Sequence, residues 1–170
     1  MPPVSCTTAR QALETRDFLD WQGLPDACTA HDLWADVPQD LSDLPRRLLG
    51  DKAEAAVFVL LDLPGYYRPL ASFCAGKLVL FDGTNPELAG GFAPLRANLG
   101  EPVARLDWYH GTLPIPAGEW VYPARGITVF VNTTAEEILH IALYRSTSLA
   151  TYCSSLRPNL RKRLNPRPPR

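Results

Sequence analysis

Hydrophobic positions fall into one helical stretch near the N-terminus and then into short runs with a period of two. Thr8-Ala9-Arg10-Gln11 fits a capping box, in which the Thr8 hydroxyl accepts from the third helical amide and Gln11 reaches back to the cap. This predicts a helix from residue 9 to Gln22, ended by Gly23-Leu24-Pro25, with glycine where a left-handed residue is wanted and proline just beyond. From Asp26 to Pro45 no period holds, and prolines at 25, 38 and 45 break the segment into short helical turns or loop, pinned to the body by Leu33 and Trp34.

From Ala55 the pattern changes. Ala55 to Leu61 is a continuous, β-branched and aromatic run, the signature of a central strand, and Pro64-Gly65 closes it. Tyr67 to Ala75 and Lys77 to Phe81 are strand candidates joined through Gly76, with Asp82-Gly83-Thr84-Asn85-Pro86 as the next turn cluster. Glu87 to Asn98 forms a short helix, ended by Leu99-Gly100-Glu101-Pro102. Four further strands follow over Val103 to Tyr109, Glu119 to Tyr122, Ile127 to Val131 and Ile138 to Tyr144. In the last of these Leu139, Ile141 and Leu143 share one face and Ile138, His140, Ala142 and Tyr144 the other. Both faces are moderately apolar, so the sheet is covered by helix on one side and partly covered on the other. Ser148 to Leu156 is a final short helix. The expected fold is α+β: an antiparallel meander of about six or seven strands, with the N-terminal helix and short helices packed on one face.

Composition sets the frame for these elements. A chain of 170 residues with 46% hydrophobic and 21% charged side chains reads as one globular domain, large enough to bury roughly 70% of its unfolded surface without staples. Seventeen prolines, about twice the usual share of roughly 5%, exclude long uninterrupted helices. The segment 157–170 holds six basic residues, four prolines and no acid. It reads as an extended or disordered tail on a domain formed by residues 1–156. Met1-Pro2-Pro3-Val4-Ser5-Cys6 lacks a charged leader and apolar run, and the longest apolar stretch, Ala55 to Leu61, is far below the ~20 residues that span a bilayer. The expectation is a soluble, cytoplasmic, bacterial-looking protein. Cys6, Cys28, Cys74 and Cys153 stand singly without C-x-x-C, which points away from zinc and redox motifs and, in a reducing compartment, toward free and mostly buried thiols.

Leu95-Arg96-Ala97-Asn98-Leu99-Gly100-Glu101-Pro102, then Trp120-Val121-Tyr122, Ile127-Thr128-Val129-Phe130-Val131 and Ile138-Leu139-His140-Ile141 follow one another in a recognisable order. This order, over residues 90–145, resembles the small α/β module of SmpA/OmlA-type outer-membrane-assembly lipoproteins and of β-lactamase-inhibitor-protein-like domains. From the Met1 to Cys6 sequence the chain is expected to depart from those families in lacking a signal peptide and lipobox cysteine. The resemblance implies a helix followed by an antiparallel meander, and protein binding across the sheet or its loops. It brings no catalytic residues.

Candidate chemistry is sparse. Phosphate-binding glycine loops, H-E-x-x-H and the G-x-S-x-G elbow are absent, and His31, His110 and His140 do not share a helix face that would ligate zinc. Metal and cofactor are therefore expected to be none. Asp107 and His110 lie near a strand end, but their spacing puts them on opposite faces. Cys74, His140 and Asp62 supply the residue types of a thiolate site, and Asp62, Asp82 and Glu119 those of a carboxylate pair. A strand cysteine is normally inert, and aspartate is favoured at turns for structural reasons. Trp108, Tyr109, Trp120 and Tyr122 divide between core and interface, whereas Tyr66-Tyr67-Arg68 at a turn suits a surface.

Charge is the sharpest signal. The whole chain carries −1, yet with six basic residues in the tail the body holds 11 basic and 18 acidic groups, a net of −7. Asp17, Asp20, Asp26, Asp32, Asp36, Asp40 and Asp43 crowd a stretch without Lys or Arg. A concentrated negative field steers basic partners. The reading is a non-catalytic protein-binding domain, an immunity-type inhibitor or adaptor capping a basic partner protein such as a toxin. Asp32, Asp36, Asp40 and Asp43 supply the field, and Trp34 and Tyr67 the apolar anchors. Membrane and sequence-specific nucleic acid are not expected partners. One alternative is a small enzyme with a pocket on the sheet, using Arg125, Asp107 and His110 or Tyr122. Another is an assembly or secretion adaptor.

Overall fold

A computed structural model describes residues 5–26, 28–52, 54–109 and 116–158. Eight strands form one antiparallel sheet: β1 (Arg46–Leu49), β2 (Glu54–Leu60), β3 (Tyr67–Cys74), β4 (Lys77–Thr84), β5 (Ala104–Tyr109), β6 (Pro116–Tyr122), β7 (Ile127–Asn132) and β8 (Glu137–Tyr144). Their order, β1-β2-β3-β4-β8-β7-β6-β5, is that of two four-stranded meanders fused where β4 pairs with β8. The sheet is thus larger than the six or seven strands expected from the pattern. The additional strand is β1, whose Arg-Arg-Leu-Leu sequence hides its alternation: Arg47 and Leu49 are buried while Arg46 and Leu48 are exposed. Because β1 takes the edge, the Ala55 to Leu61 run lies one strand in from it rather than at the centre. Asp82-Gly83-Thr84, expected as a turn, continues β4. Gly83 is required there because a Cβ would meet the Tyr66 ring at 2.8 Å.

Helices α1 (Cys6–Thr15), α2 (Ala30–Leu33) and α3 (Phe92–Leu99) pack on one face, burying Ala9, Leu13, Leu33 and Leu95 against Phe73, Phe81, Trp120, Val129, Ile141 and Leu143. Ser5 rather than Thr8 caps α1, its hydroxyl accepting from Thr8 N–H at 3.1 Å. The helix ends at Thr15, well before Gln22, because Arg16 takes a left-handed conformation (φ 58°) and clasps Pro64 O and Glu87 O with its guanidinium. Phe18 and Trp21 then turn inward, edge to face. A disulfide joins Cys6 to Cys28, which corrects the expectation of four free thiols; Cys74 and Cys153 are free. The bridge fastens the start of α1 to the chain entering α2.

The other face carries a second core of Leu49, Ala56, Leu80, Val121, Phe130, Ala142, Tyr144 and Tyr152. Its cover is α4 (Leu149–Thr151) and the π-helical turn Tyr152–Leu156, so not all the short helices share one face. The β8 alternation slips at a bulge: Phe130 pairs with His140 but Val131 with Ile138, leaving Leu139 extra. Ile138 therefore packs on the helical side and Leu139 on this one, the reverse of strict alternation.

The C-terminal cover also bends the sheet. Gly50, Asp51 and Lys52 N–H donate to Arg157 O, Cys153 O and Ser154 O, and Leu49 bridges Pro158. The Arg157 guanidinium reaches Glu119 on β6 and Asp107 O on β5. In a flat sheet β1 and β5 would lie about 34 Å apart, at ~4.8 Å per strand spacing. Five extended residues span at most roughly 18 Å. The sheet must curl for residues 153–157 to touch both margins, which makes this face concave. Arg157 and Pro158, expected in the tail, belong to the body. The rest of the tail, 159–170, lies outside the described residues. No helix among the described residues is long and apolar enough to cross a membrane.

The bridge closes a loop of 22 residues. Chain-entropy reasoning gives such a bridge about 3 kcal/mol. Replacing Cys6 and Cys28 by serine is expected to lower stability by about that amount, read as the urea midpoint with and without reductant. An unchanged midpoint in both comparisons would show that the staple contributes nothing.

Candidate functional site

The concave face holds a chain of buried polar groups that begins at the sheet edge. Arg47 on β1 lies opposite Ala56, whose single methyl lets the arginine pass over β2. Its guanidinium donates to Ser72 Oγ on β3 at 3.2 Å and to Asp82 Oδ1 on β4 at 2.6 Å. The second Asp82 oxygen lies 3.0 Å from His140 Nε2, and His140 Nδ1 lies 2.9 Å from Thr84 Oγ1. Phe130 closes edge-on over the imidazole at 5.2 Å between ring centroids. Burial alone would raise the Asp82 carboxyl, but the Arg47 charge and the bonds from His140 and Arg47 outweigh it and hold it below the usual carboxylate range.

Hydroxyl, imidazole and carboxylate stand here in the order of nucleophile, base and orienter. The charge balance suits a structural tie better. An orienting carboxylate serves a base by stabilising the imidazolium, whereas the Asp82 charge is already matched by Arg47 at 2.6 Å. A parallel tie lies across the sheet: Glu119 on β6 accepts from Tyr152 Oη at 2.6 Å and from Arg157 at 2.7 Å. Burial pushes the Tyr152 phenol well above its ordinary value, and the Glu119 charge adds to this. Asp82 and Glu119 are thus not a carboxylate pair, since each has its own arginine, and Asp62 is exposed. Sequence reading placed both buried acids at turns or strand ends, and no local signal marks the arginines that neutralise them.

The acidic segment lies on the helical side. Asp32 closes a capping box at α2: its carboxylate accepts from Thr29 N–H at 2.7 Å and from Thr29 Oγ1 at 3.0 Å, and the Thr29 backbone bond above all lowers its pKa. Asp40 is likewise lowered by Ser42, whose hydroxyl donates to it at 2.6 Å. Asp36 and Asp43 are exposed. Trp34 is half-buried, stacked on Phe81, with its indole N–H buried and unpartnered. Tyr67 is 63% exposed and pairs with Thr84 at one end of the β3–β4 hairpin. Thr29 bridges Lys77 at the opposite end. Strand rise puts those ends roughly 24 Å apart, so Tyr67 does not stand with the aspartates. A cleft of about 240 Å³ between α1 and the loop after it is lined by Gln11, Thr15, Asp17, Asp20, Trp21 and Gln22.

The residues of the enzymatic alternative do not converge. Arg125 is spent on Trp21 O, Leu19 O and Asn98 Oδ1, and Tyr122 donates to Gly100 O. Asp107 pairs with Gly118, four residues along β6 from Tyr122, and His110 lies outside the described residues. Cys74 pairs with Lys77 at the hairpin end away from Thr84 and His140. Among the described residues no three His, Cys, Asp or Glu side chains group as metal ligands. The chain matches no protein-family model, no curated protein and no solved structure.

Removing Arg47 leaves a buried carboxylate without its main counter-charge, which costs about 3–5 kcal/mol. Arg47→Met should lose that much at pH 7 in urea unfolding. In the native chain the Asp82 value lies below its unfolded value of about 3.9, so its contribution is full above that pH and is lost as pH falls further. In the variant burial is no longer offset by the arginine, the value rises, and the acid-side decline should flatten. Parallel stability profiles from pH 3 to 7 would refute the tie.

Proposed function

We propose that the protein is a non-catalytic binding domain that uses its acidic N-terminal third to engage a basic protein partner, as an immunity-type inhibitor or adaptor does. The observation that carries this reading is the state of the seven aspartates from Asp17 to Asp43. All are exposed, and among the described residues only Asp26 has an ion-pair partner, Arg145 at 3.3 Å. Asp20 lies within the field of Arg125; compensated acids are a routine solvated face, whereas the aspartates that have no such partner keep their field for an incoming cation. The hydrogen bonds that lower Asp32 and Asp40 keep those two ionised in mildly acidic solution.

The resemblance of residues 90–145 to modules that bind proteins across the sheet or its loops fits this reading through the loops. Both sheet faces carry cover, helices on one and the C-terminal segment on the other. The interface is therefore assigned to the acidic segment and the cleft beside α1, where Asp17 and Asp20 flank Trp21. Trp34, half-buried and stacked on Phe81, supports the segment from below.

Asp36 and Asp43 bear no capping bond, so neutralising them tests charge without disturbing structure. With the partner captured from the native host by cross-linking and then purified, Asp36→Asn/Asp43→Asn should slow association about tenfold at low ionic strength and leave dissociation nearly unchanged. An association rate equal to that of the native chain, or capture of only acidic and neutral proteins, would defeat the reading.

A further inference from the structure

Helix α1 and the loop after it frame a cleft of about 240 Å³, below the roughly 300–1,000 Å³ of pockets that take whole small ligands. Its size suits one long side chain. We infer that the cleft takes an arginine side chain of the basic partner, seated between Asp17 and Asp20 against Trp21. The inference rests on the proposed function and narrows the partner's contact to one chemical group.

The walls are rich in acceptors. Gln11 and Thr15 line the cleft from α1, and the Thr15 hydroxyl spends its hydrogen on Gln11 O at 2.8 Å, which leaves its lone pairs. From the loop come the Asp17 and Asp20 carboxylates and the Gln22 amide. Among the described residues no Lys, Arg or His lines the cleft. The loop is fixed before any guest arrives. Arg125, which is not part of the lining, donates to Trp21 O at 2.6 Å and to Leu19 O at 3.0 Å. Its charge acts on Asp20, whereas Asp17 has no ion-pair partner among the described residues. Asp17 Oδ1 accepts from Leu19 N–H at 3.2 Å, which holds the carboxylate in place. Trp21 is set as well: its N–H donates to Gly126 O at 3.1 Å and Phe18 meets it edge to face, so what it offers a guest is ring surface.

A metal ion fits this lining poorly, since among the described residues no three His, Cys, Asp or Glu side chains group as ligands. A lysine ammonium is a compact point charge. A guanidinium is planar, carries its donors in a fixed fork and stacks on aromatic rings, so it matches acceptors spread around an indole.

Titration of the full chain with the Nα-acetylated amide of arginine, followed by amide NMR spectra, decides the matter. The backbone amides of Asp17, Asp20 and Trp21 and the side-chain amides of Gln11 and Gln22 should shift together, with millimolar affinity. The citrulline analogue, in which an uncharged urea replaces the guanidinium at nearly the same shape, should bind at least about tenfold more weakly, and the lysine analogue about threefold more weakly. Asp17→Asn keeps the acceptor for Leu19 N–H, so it preserves the loop, and should weaken binding of the arginine amide about fivefold. Equal affinities for the arginine and citrulline amides, equal affinities of the native chain and Asp17→Asn, or shifts elsewhere than around the cleft would overturn the inference. Such a result leaves the acidic face to its own test at Asp36 and Asp43, neither of which lines the cleft.

Discussion

The short span 153–157 touches both margins of an eight-stranded sheet, and the rest of the structure follows from that closure. Backbone carbonyls of Cys153, Ser154 and Arg157 take the amides of the β1–β2 turn, while the Arg157 side chain holds Glu119 and Asp107 O at the opposite margin. Gly50 makes the approach feasible, since any Cβ there would overlap the Ser154 carbonyl. A sheet this wide would otherwise twist open and leave one face to solvent.

Closure explains why charged groups are buried at all. Curling brings Arg47 over Ala56 to Asp82, and Arg157 to Glu119, and each acid enters the low-dielectric interior only with its arginine. Such ties add little net stability compared with apolar packing but penalise any register that separates the partners. In a meander whose strands differ little in hydrophobicity, that penalty helps to fix which strand lies beside which. It also divides the acids into two kinds. Asp82 and Glu119 are internal and matched, whereas the seven aspartates from Asp17 to Asp43 are external and, Asp26 excepted, without an ion-pair partner among the described residues.

Much of this was legible in the sequence. A continuous apolar run marked β2 and period-two patterning marked β3 and β5–β8 within a few residues, and the two apolar faces of β8 implied a sheet covered by helix on one side and at least partly covered on the other. What escaped had non-local causes. Arg-Arg-Leu-Leu becomes a strand because Arg47 finds Asp82 35 residues away. Asp82-Gly83-Thr84 has the composition of a turn and is a strand because Tyr66 needs the glycine. Helix α1 stops early because Arg16 is drawn to carbonyls at 64 and 87. The aspartates were visible as a charge run, but which of them cap and which stand free depends on Thr29 and Ser42, legible only once the turn is formed.

Distance across the concave face tests the closure most directly. Spin labels at Lys52 and Asp107, introduced as cysteines with Cys74 and Cys153 replaced by serine, report on the two margins that residues 153–157 hold together. The closed sheet predicts a single narrow distribution centred at about 20 Å, well under the roughly 34 Å of flat strand spacing. A distribution centred near that larger value would contradict the closure and the placement of the buried ion pairs that depends on it.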